Sequence, residues 1–236
     1  MASFVIKNWD NETWLSSKDY IESFNNFLIK NIKINSNSKI LDIGCGRGKI
    51  LGSLRSKLKL KEKPLGIDIV NHKDKDTRIK FRKINVIDFS KKNKEKFDFI
   101  LIKQTIHLIK LTEIKKILYQ LKKRLNPKGK ILIFTLDTDK NEIPTFAAMK
   151  IRLNKSLKRD KKILELISKI FPHRTKKRFI YSVKINKEEY LEMIKNRYIS
   201  TLMSLSEKQL LRGIQEIRTK YKDKIKFKDK LICIIL

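Results

Sequence analysis

The sequence is poor in cysteine, glycine and acidic residues, and it contains no long apolar run. Its 236 residues include two cysteines, Cys45 and Cys233, which are too few for a disulfide framework or a CxxC metal site. No stretch approaches the roughly 20 uncharged apolar residues that a membrane span needs. The first ten residues lack the pattern of a signal peptide. We therefore expect a reduced, cytoplasmic protein without a membrane span.

Positive charge is in large excess, because 57 Lys and Arg face 25 Asp and Glu and give a net charge of +32. Such a charge attracts phosphate, nucleic acid and anionic membrane surfaces. However, lysine, isoleucine and asparagine, which have A/T-rich codons, make up 96 residues, and a biased genome gives the same profile. Only 12 residues are arginine, the type that binds phosphate in a bidentate manner. Both a solvated lysine-rich surface and a functional basic face, densest over residues 150–178, therefore stay open.

Short apolar runs alternate with longer segments of helical periodicity, which predicts βαβ units around a mostly parallel sheet and hence an α/β fold. The predicted strands are 39–43, 65–69, 79–84, 97–102, 130–136, 178–185 and 231–236. The predicted helices are 11–31, 50–58, 114–125, 145–170, a helix capped by Asn186, and 206–220. The last strand is wholly apolar, so we expect it to pair inside the sheet, where it is protected from aggregation.

A turn with three glycines follows the first predicted strand. Gly44, Gly46 and Gly48 let the backbone pass close to a ligand that side chains would exclude. The third glycine of a dinucleotide fingerprint is missing, and the chain has no P-loop motif. Asp42 precedes the turn; its carboxylate would repel a pyrophosphate but suits a ligand that carries an ammonium group and a sulfonium. Asp68 ends the second strand, where it can accept hydrogen bonds from two ribose hydroxyls.

These segments resemble the class I S-adenosylmethionine-dependent methyltransferases, in particular the small-molecule branch of quinone C-methyltransferases and trans-aconitate methyltransferase. The resemblance covers nearly the whole chain and is carried by segments 41–48, 66–69, 97–109 and 125–133. It implies a three-layer Rossmann-like sandwich with a seven-stranded, mostly parallel sheet of order 3-2-1-4-5-7-6. It also implies S-adenosylmethionine as cofactor, S-adenosylhomocysteine as product, and no metal.

The resemblance further implies one methyltransferase domain over residues 1–236. Residues 1–38 would form an N-terminal helical lid, and residues 39–136 the cofactor-binding core. Residues 137–178 would form a basic helical cover after strand five, and residues 179–236 the C-terminal strands and helices.

The positions that match cofactor-binding residues of this family lie in the lid and at the ends of four strands. They are Trp14, Tyr20, Asp42, Gly44, Cys45, Gly46, Gly48, Asp68, Ile69, Asn85, Val86, Lys103 and Gln104. Trp14 and Tyr20 could cover the sulfonium with their ring faces, although their spacing also fits a helix core. In this family the residue at this position is usually an acid that accepts a hydrogen bond from the adenine amino group. This chain has Asn85 there, and its amide oxygen can still accept that hydrogen bond. Asp88 could instead cap the next helix.

Methyl transfer from a sulfonium is an in-line displacement that depends on alignment and on the exclusion of water. If the acceptor must lose a proton, His107 is the candidate base, with a hydrogen-bonded structural histidine as the alternative. The candidate substrate residues are Phe146, Arg152, Arg197 and Tyr198. Basic residues among them would favour a small acceptor with a carboxylate or phosphate. Methylation of RNA or protein through the basic surface is the alternative function, and nucleic acid the alternative partner.

Overall fold

The computed structural model describes residues 13–92 and 94–236. It contains a seven-stranded sheet of order β3-β2-β1-β4-β5-β7-β6, which confirms the expected order and the Rossmann-like fold class. Strands β1 to β5 are parallel, and β7 runs antiparallel between β5 and β6. The strands are β1 (Ile40–Ile43), β2 (Leu65–Asp68), β3 (Lys80–Lys83), β4 (Phe97–Lys103), β5 (Leu125–Leu136), β6 (Thr175–Asn186) and β7 (Lys224–Ile235). Residues 1–12 of the expected N-terminal lid lie outside the described residues.

Eight α-helices are present among the described residues. They are α1 (Lys18–Asn31), α2 (Lys49–Leu58), α3 (Val86–Lys92), α4 (Leu111–Lys122), α5 (Ala147–Ile170), α6 (Lys187–Lys195), α7 (Ser200–Met203) and α8 (Glu207–Lys220). Short 3-10 turns precede α1 (Trp14–Ser16) and α4 (Ile106–Leu108). Ser17 and Ser206 cap α1 and α8, because each hydroxyl accepts a hydrogen bond from a main-chain N–H of the first turn.

The sheet buries apolar side chains on both faces, since successive residues of a strand point to opposite sides. One core contains Leu101, Phe134 and Leu231, and α1, α2, α6 and α8 pack against it. The other contains Ile100, Ile133 and Ile232, and α4 and the C-terminal half of α5 cover it. The terminal strand is therefore an inner strand of the sheet, as its apolar sequence predicted.

The boundaries of β5 and α4 differ from those that the sequence predicted. β5 begins at Leu125, before the predicted start at residue 130, so residues 126–129 belong to the strand. The cause is a shift in register, because Phe97 pairs with Leu125 while Phe99 pairs with Lys130. α4 accordingly spans Leu111–Lys122 and ends before the expected Leu125.

Two helix starts also differ from the prediction. The side chain of Asn85 accepts a hydrogen bond from the main-chain N–H of Asp88 at 2.9 Å, so Asn85 and not Asp88 caps the short helix α3. Asn186 does precede α6, but its amide donates to Glu189 at 3.3 Å and accepts no main-chain hydrogen bond from the helix. Within residues 13–92 and 94–236, no helix is long and apolar enough to cross a membrane.

Candidate functional site

The carboxyl ends of the central strands bring most of the predicted cofactor residues together. In an open parallel sheet, ligands bind in the crevice outside these strand ends. Asp42 lies in β1, Asp68 ends β2 and Lys103 ends β4. β1 is hydrogen-bonded to both β2 and β4, so the three residues occupy neighbouring strands at one edge.

The glycine turn between β1 and α2 has the left-handed backbone that its sequence predicted. Gly44, Gly46 and Gly48 have φ angles of 73°, 54° and 74°, a region that residues with a Cβ rarely adopt. A Cβ on Gly44 would lie 2.1 Å from Oγ1 of Thr105. The main-chain N–H groups of Gly44 and Cys45 donate to the carbonyl of Ile67 at 2.8 and 3.1 Å. The turn is thus held directly against the end of β2.

Asp68 fixes the same turn with its carboxylate. One oxygen accepts a hydrogen bond from the N–H of Gly46 at 2.9 Å, and the other accepts from the N–H of Val70 at 2.9 Å. Each carboxylate oxygen has room for a further donor, so these bonds leave capacity for two hydroxyl groups. Ile69 follows with 64% of its surface exposed and presents an apolar face beside the acid.

Asp42 is a buried acid with an unsatisfied oxygen. Its Oδ1 has no hydrogen-bond partner within the described parts of the chain. The pKa of Asp42 is raised to about 7, because burial outweighs the lowering effect of the positive charge on Lys103, and the nearby Asp68 adds to the rise. A buried carboxylate without a partner is costly, and a cationic donor relieves that cost. Asp42 therefore fits a ligand that carries an ammonium group.

Asn85 and Val86 follow β3 at the start of α3. The amide nitrogen of Asn85 donates to the carboxylate of Asp88 at 2.6 Å, in addition to the capping bond of its oxygen. Asn85 is exposed and Val86 is half-buried. The two residues lie beyond the end of β3, and the side chain of Asn85 is engaged with the helix that follows.

Lys103 carries its ammonium group onto two aromatic rings of α1. The Nζ atom lies 5.2 Å from the centre of the Tyr20 ring and 5.4 Å from that of Phe24. Tyr20 is completely buried. Tyr20 was expected to face a sulfonium, and in the structure the cation over its ring is the side chain of Lys103.

A small cavity of about 20 Å³ has Gln104, the residue after Lys103, in its lining. It is lined by Trp14, Leu15, Gln104, Leu136, Ile143, Tyr198, Ile199 and Asp229. The edge of Trp14 packs against Tyr198 with ring centres 5.2 Å apart. Gln104 has a φ of 51°, an uncommon conformation for a residue with a side chain, and such residues cluster at functional sites. The volume suffices for about one water-sized group.

Asp229 is a residue of this cavity that the sequence analysis missed. It is 1% exposed, and its Oδ2 accepts a hydrogen bond from the indole N–H of Trp14 at 3.3 Å. Burial raises the pKa of Asp229, while Lys103, Trp14 and Tyr20 lower it. A signal was present in the sequence, because Asp229 interrupts the apolar residues at alternate positions of β7. Those residues are Ile225, Phe227, Leu231 and Cys233.

His107 lies in the 3-10 turn after β4, on the side of the second core. Its neighbours Ile106 and Ile109 belong to that core, and its Nε2 has no hydrogen-bond partner among the residues described. Burial, together with the nearby positive charge of Arg159, lowers the pKa of His107 to about 4. The imidazole is therefore neutral at physiological pH and only weakly basic.

Of the four predicted substrate residues, Tyr198 lines the cavity. Its hydroxyl is 2.9 Å from that of Tyr190, which in turn donates to the carbonyl of Pro144 at 2.6 Å. Phe146 is buried, and its ring fills the space that a Cβ on Gly213 would need.

The two predicted substrate arginines are placed differently from Tyr198. Arg197 donates to the carbonyls of Leu202 and Leu205 at the end of α7 and so joins neighbouring segments. Arg152 is exposed on α5.

A family model described as "Methyltransferase domain" matches residues 17–175. A methyltransferase structure assigned to an antibiotic biosynthesis pathway of Anabaena variabilis is similar at 14% identity and a TM-score of 0.63, over 89% of this chain and 95% of that one. A cyclopropane-fatty-acyl-phospholipid synthase-like protein from Lactobacillus casei is also similar, at 12% identity and a TM-score of 0.58. The match covers 92% of this chain and 90% of that one. A methyltransferase from Geobacter sulfurreducens with bound S-adenosylhomocysteine is similar at 11% identity and a TM-score of 0.54. The match covers 93% of this chain and 91% of that one. No curated protein sequence matches this chain.

Proposed function

This chain belongs to the methyltransferase-domain family and is an S-adenosylmethionine-dependent methyltransferase, and we propose that it methylates a small acceptor at the cavity beside Lys103. The observation that carries the cofactor part of the proposal is the unsatisfied, buried oxygen of Asp42 next to a left-handed glycine turn. A cation-binding carboxylate and a turn open to close approach are what a cofactor with an amino-acid tail requires.

We place the cofactor along the carboxyl ends of β1, β2 and β3, where the described residues offer a partner for each of its polar groups. Asp42 would bind the ammonium group, and the two oxygens of Asp68 would each take a ribose hydroxyl in addition to their main-chain donors. Ile69 would contact a face of the adenine, and Asn85 and Val86 lie where its edge is expected. If the side-chain oxygen of Asn85 accepts a hydrogen bond from the adenine amino group, it must share or give up the hydrogen bond that it accepts from the main-chain N–H of Asp88. Lys103 would balance the cofactor carboxylate.

The bound cofactor supplies an electrophilic methyl group on a sulfonium, and the chain supplies alignment and a dry environment. Trp14, Leu136, Ile143 and Tyr198 line the cavity with mostly apolar surface, which favours the exclusion of water. Gln104 directly follows β4 and lines the same cavity, so it can orient the acceptor. An in-line displacement needs no covalent enzyme intermediate, and we propose that positioning provides most of the rate.

The contacts of the basic residues bear on the class of acceptor. Arg197, on which an anionic acceptor was expected to rely, donates to main-chain carbonyls, as does Arg159 of α5. The carboxylate of Asp229 faces the cavity instead. We therefore favour a small acceptor without a carboxylate or phosphate at its reactive end.

The distribution of lysine supports a small acceptor over RNA. Exposed lysines occur on α3, α4, α5, α6 and α8 and on both edge strands, β3 and β6. Such an even spread agrees with a compositional bias, whereas an RNA-binding enzyme needs positive charge concentrated along a path to the site.

Calorimetric titration with S-adenosylhomocysteine tests the cofactor part of the proposal. We expect the wild-type protein to bind and Asp42→Asn to bind at least about tenfold more weakly, since a charged hydrogen bond contributes about 1.5–3 kcal/mol. Asp223→Asn removes an exposed carboxylate just before β7 and is the matched control, with unchanged affinity expected. A folded wild-type protein that does not bind S-adenosylhomocysteine would refute the proposal.

A further inference from the structure

Asp229 lies at the same sheet edge as the proposed cofactor site, although it belongs to the antiparallel strand β7. Leu231 pairs with Leu136 at the end of β5, and the main-chain N–H of Asp137 donates to the carbonyl of Lys230 at 2.8 Å. Asp229 comes two residues before Leu231 in the sequence. It is therefore just beyond the carboxyl end of β5, where the crevice of a parallel sheet opens.

The strand register places Asp229 on the same face as Lys103. Lys103 pairs with Phe134 of β5, and Phe134 pairs with Cys233 of β7. Paired residues point to the same side of a sheet, and so do residues separated by an even number of positions. Asp229 is four positions from Cys233, so its side chain shares the face of Lys103.

The same argument adds Asp42 to this face. Asp42 pairs with Leu101, which precedes Lys103 by two positions in β4. Lys103 lowers the pKa of both Asp42 and Asp229, so one ammonium group interacts with both buried carboxylates. The proposed cofactor acid and Asp229 are thereby linked through a single lysine, with the cavity on the Asp229 side.

We propose that Asp229 binds the nucleophilic O–H or N–H group of the methyl acceptor and takes its proton during methyl transfer. The proposal rests on the proposed function, and it defines the substrate class as a small molecule with a neutral or cationic hydrogen-bond donor at the methylated atom. A cavity of about 20 Å³ admits such a head group alone, so the remainder of the acceptor lies outside it.

The step balances without a further reagent. A cationic amine first gives a proton to Asp229, which frees its lone pair. The lone pair of the acceptor oxygen or neutral nitrogen then forms the new bond to the methyl carbon, and the electron pair of the carbon–sulfur bond stays on sulfur. The proton leaves the acceptor for the carboxylate of Asp229. The positive charge on sulfur and the negative charge on the carboxylate therefore disappear together, which suits a buried site.

Three features favour Asp229 over His107 in this role. Asp229 lines the cavity, it accepts a hydrogen bond from Trp14, and it lies on the face of the sheet that carries Asp42 and Lys103. His107 is flanked by residues of the opposite core. Burial raises the pKa of Asp229, which makes it a stronger base, whereas burial weakens His107.

The test compares three probes of similar size on protein saturated with S-adenosylhomocysteine: benzylamine, benzyl alcohol and benzoate. Ligand-observed NMR measures their affinities for the wild type, for Asp229→Asn and for the exposed control Asp223→Asn. We expect benzylamine and benzyl alcohol to bind the wild type at least about tenfold more tightly than benzoate. Asp229→Asn should reduce the preference for benzylamine over benzoate at least about fivefold, and Asp223→Asn should leave it unchanged.

Equal or tighter binding of benzoate to the wild type would overturn the proposal, as would a preference that survives in folded Asp229→Asn. Binding of none of the three probes to the loaded protein would also overturn it. If Asp229→Asn does not fold, the order of the probes on the wild type decides. A wild type that fails to bind S-adenosylhomocysteine refutes the proposed function itself. The calorimetric titration with S-adenosylhomocysteine therefore distinguishes failure of the proposed function from failure of the role proposed for Asp229.

Discussion

The main-chain N–H of Gly46 donates a 2.9 Å hydrogen bond to Oδ2 of Asp68, which joins the glycine turn after β1 to the end of β2. One carboxylate thus holds the turn in place and remains able to accept hydroxyl donors. If the cofactor binds as proposed, the shape of the turn and the binding of the ribose therefore depend on the same side chain. Loss of that side chain should impair both.

Asp68→Ala should weaken binding of S-adenosylhomocysteine by about 10- to 100-fold, because two charge-assisted hydrogen bonds to the ribose are lost. Calorimetric titration measures the effect, with Asp223→Ala as the exposed control. An affinity within twofold of the wild type would show that Asp68 does not contact the ligand.

Gly44→Ala should destabilise the fold, since Gly44 has a φ of 73° and a new Cβ would lie 2.1 Å from Oγ1 of Thr105. The left-handed backbone alone costs about 1–3 kcal/mol for a residue with a Cβ. Urea unfolding measures the loss. Thr105→Ala should recover part of it in the double variant, because the clash is reduced while the backbone strain remains. Additive effects of the two substitutions would contradict the direct contact.

Asp42→Asn should stabilise the ligand-free protein at alkaline pH. The pKa of Asp42 is raised to about 7 in the folded state, so the free energy of unfolding falls as the pH rises from about 4 to about 7. The variant's free energy of unfolding should exceed that of the wild type by about 2 kcal/mol more at pH 8 than at pH 5. Urea unfolding of both proteins at the two pH values measures it. A gain that does not depend on pH would exclude a raised pKa.

His107→Gln should alter acid stability more than turnover. The folded pKa of His107 is lowered to about 4, below the unfolded value, so its contribution to stability is lost as the pH falls from about 6.5 to about 4. When the pH is lowered from 7 to 5, the free energy of unfolding of the wild type should fall by about 1–2 kcal/mol more than that of the variant. An identical loss in both proteins would contradict this assignment, and a loss of turnover without a loss of stability would make His107 the base.

The fold and the glycine turn after β1 could be predicted because their signals are local. Asp42 and the three glycines lie within one strand and its turn, and the backbone angles of the glycines are those that glycine alone tolerates easily. The order of the sheet followed from the resemblance of these segments to a family. The start of β5 could not be predicted, because it depends on the shift between Phe97 and Phe99 in the neighbouring strand.

The cavity in which we propose that the acceptor binds could not be predicted, since its contacts join distant segments. Trp14 and Asp229 are 215 residues apart and meet only when β7 inserts beside β5. The sequence also predicted that Arg197 contacts the substrate. In the structure its guanidinium donates hydrogen bonds to the main-chain carbonyls of Leu202 and Leu205. A basic residue near a predicted site can satisfy main-chain acceptors that no sequence pattern reveals.

The affinity for S-adenosylhomocysteine at pH 6 and pH 8 tests the central role of Asp42 most directly. With a pKa of about 7, the free carboxyl is mostly protonated at pH 6 and must lose its proton to bind an ammonium group. The account predicts binding about tenfold tighter at pH 8 than at pH 6 for the wild type. It also predicts weak, pH-independent binding for Asp42→Asn. Equal affinities of the wild type at both pH values, or the same pH dependence in Asp42→Asn, would contradict it.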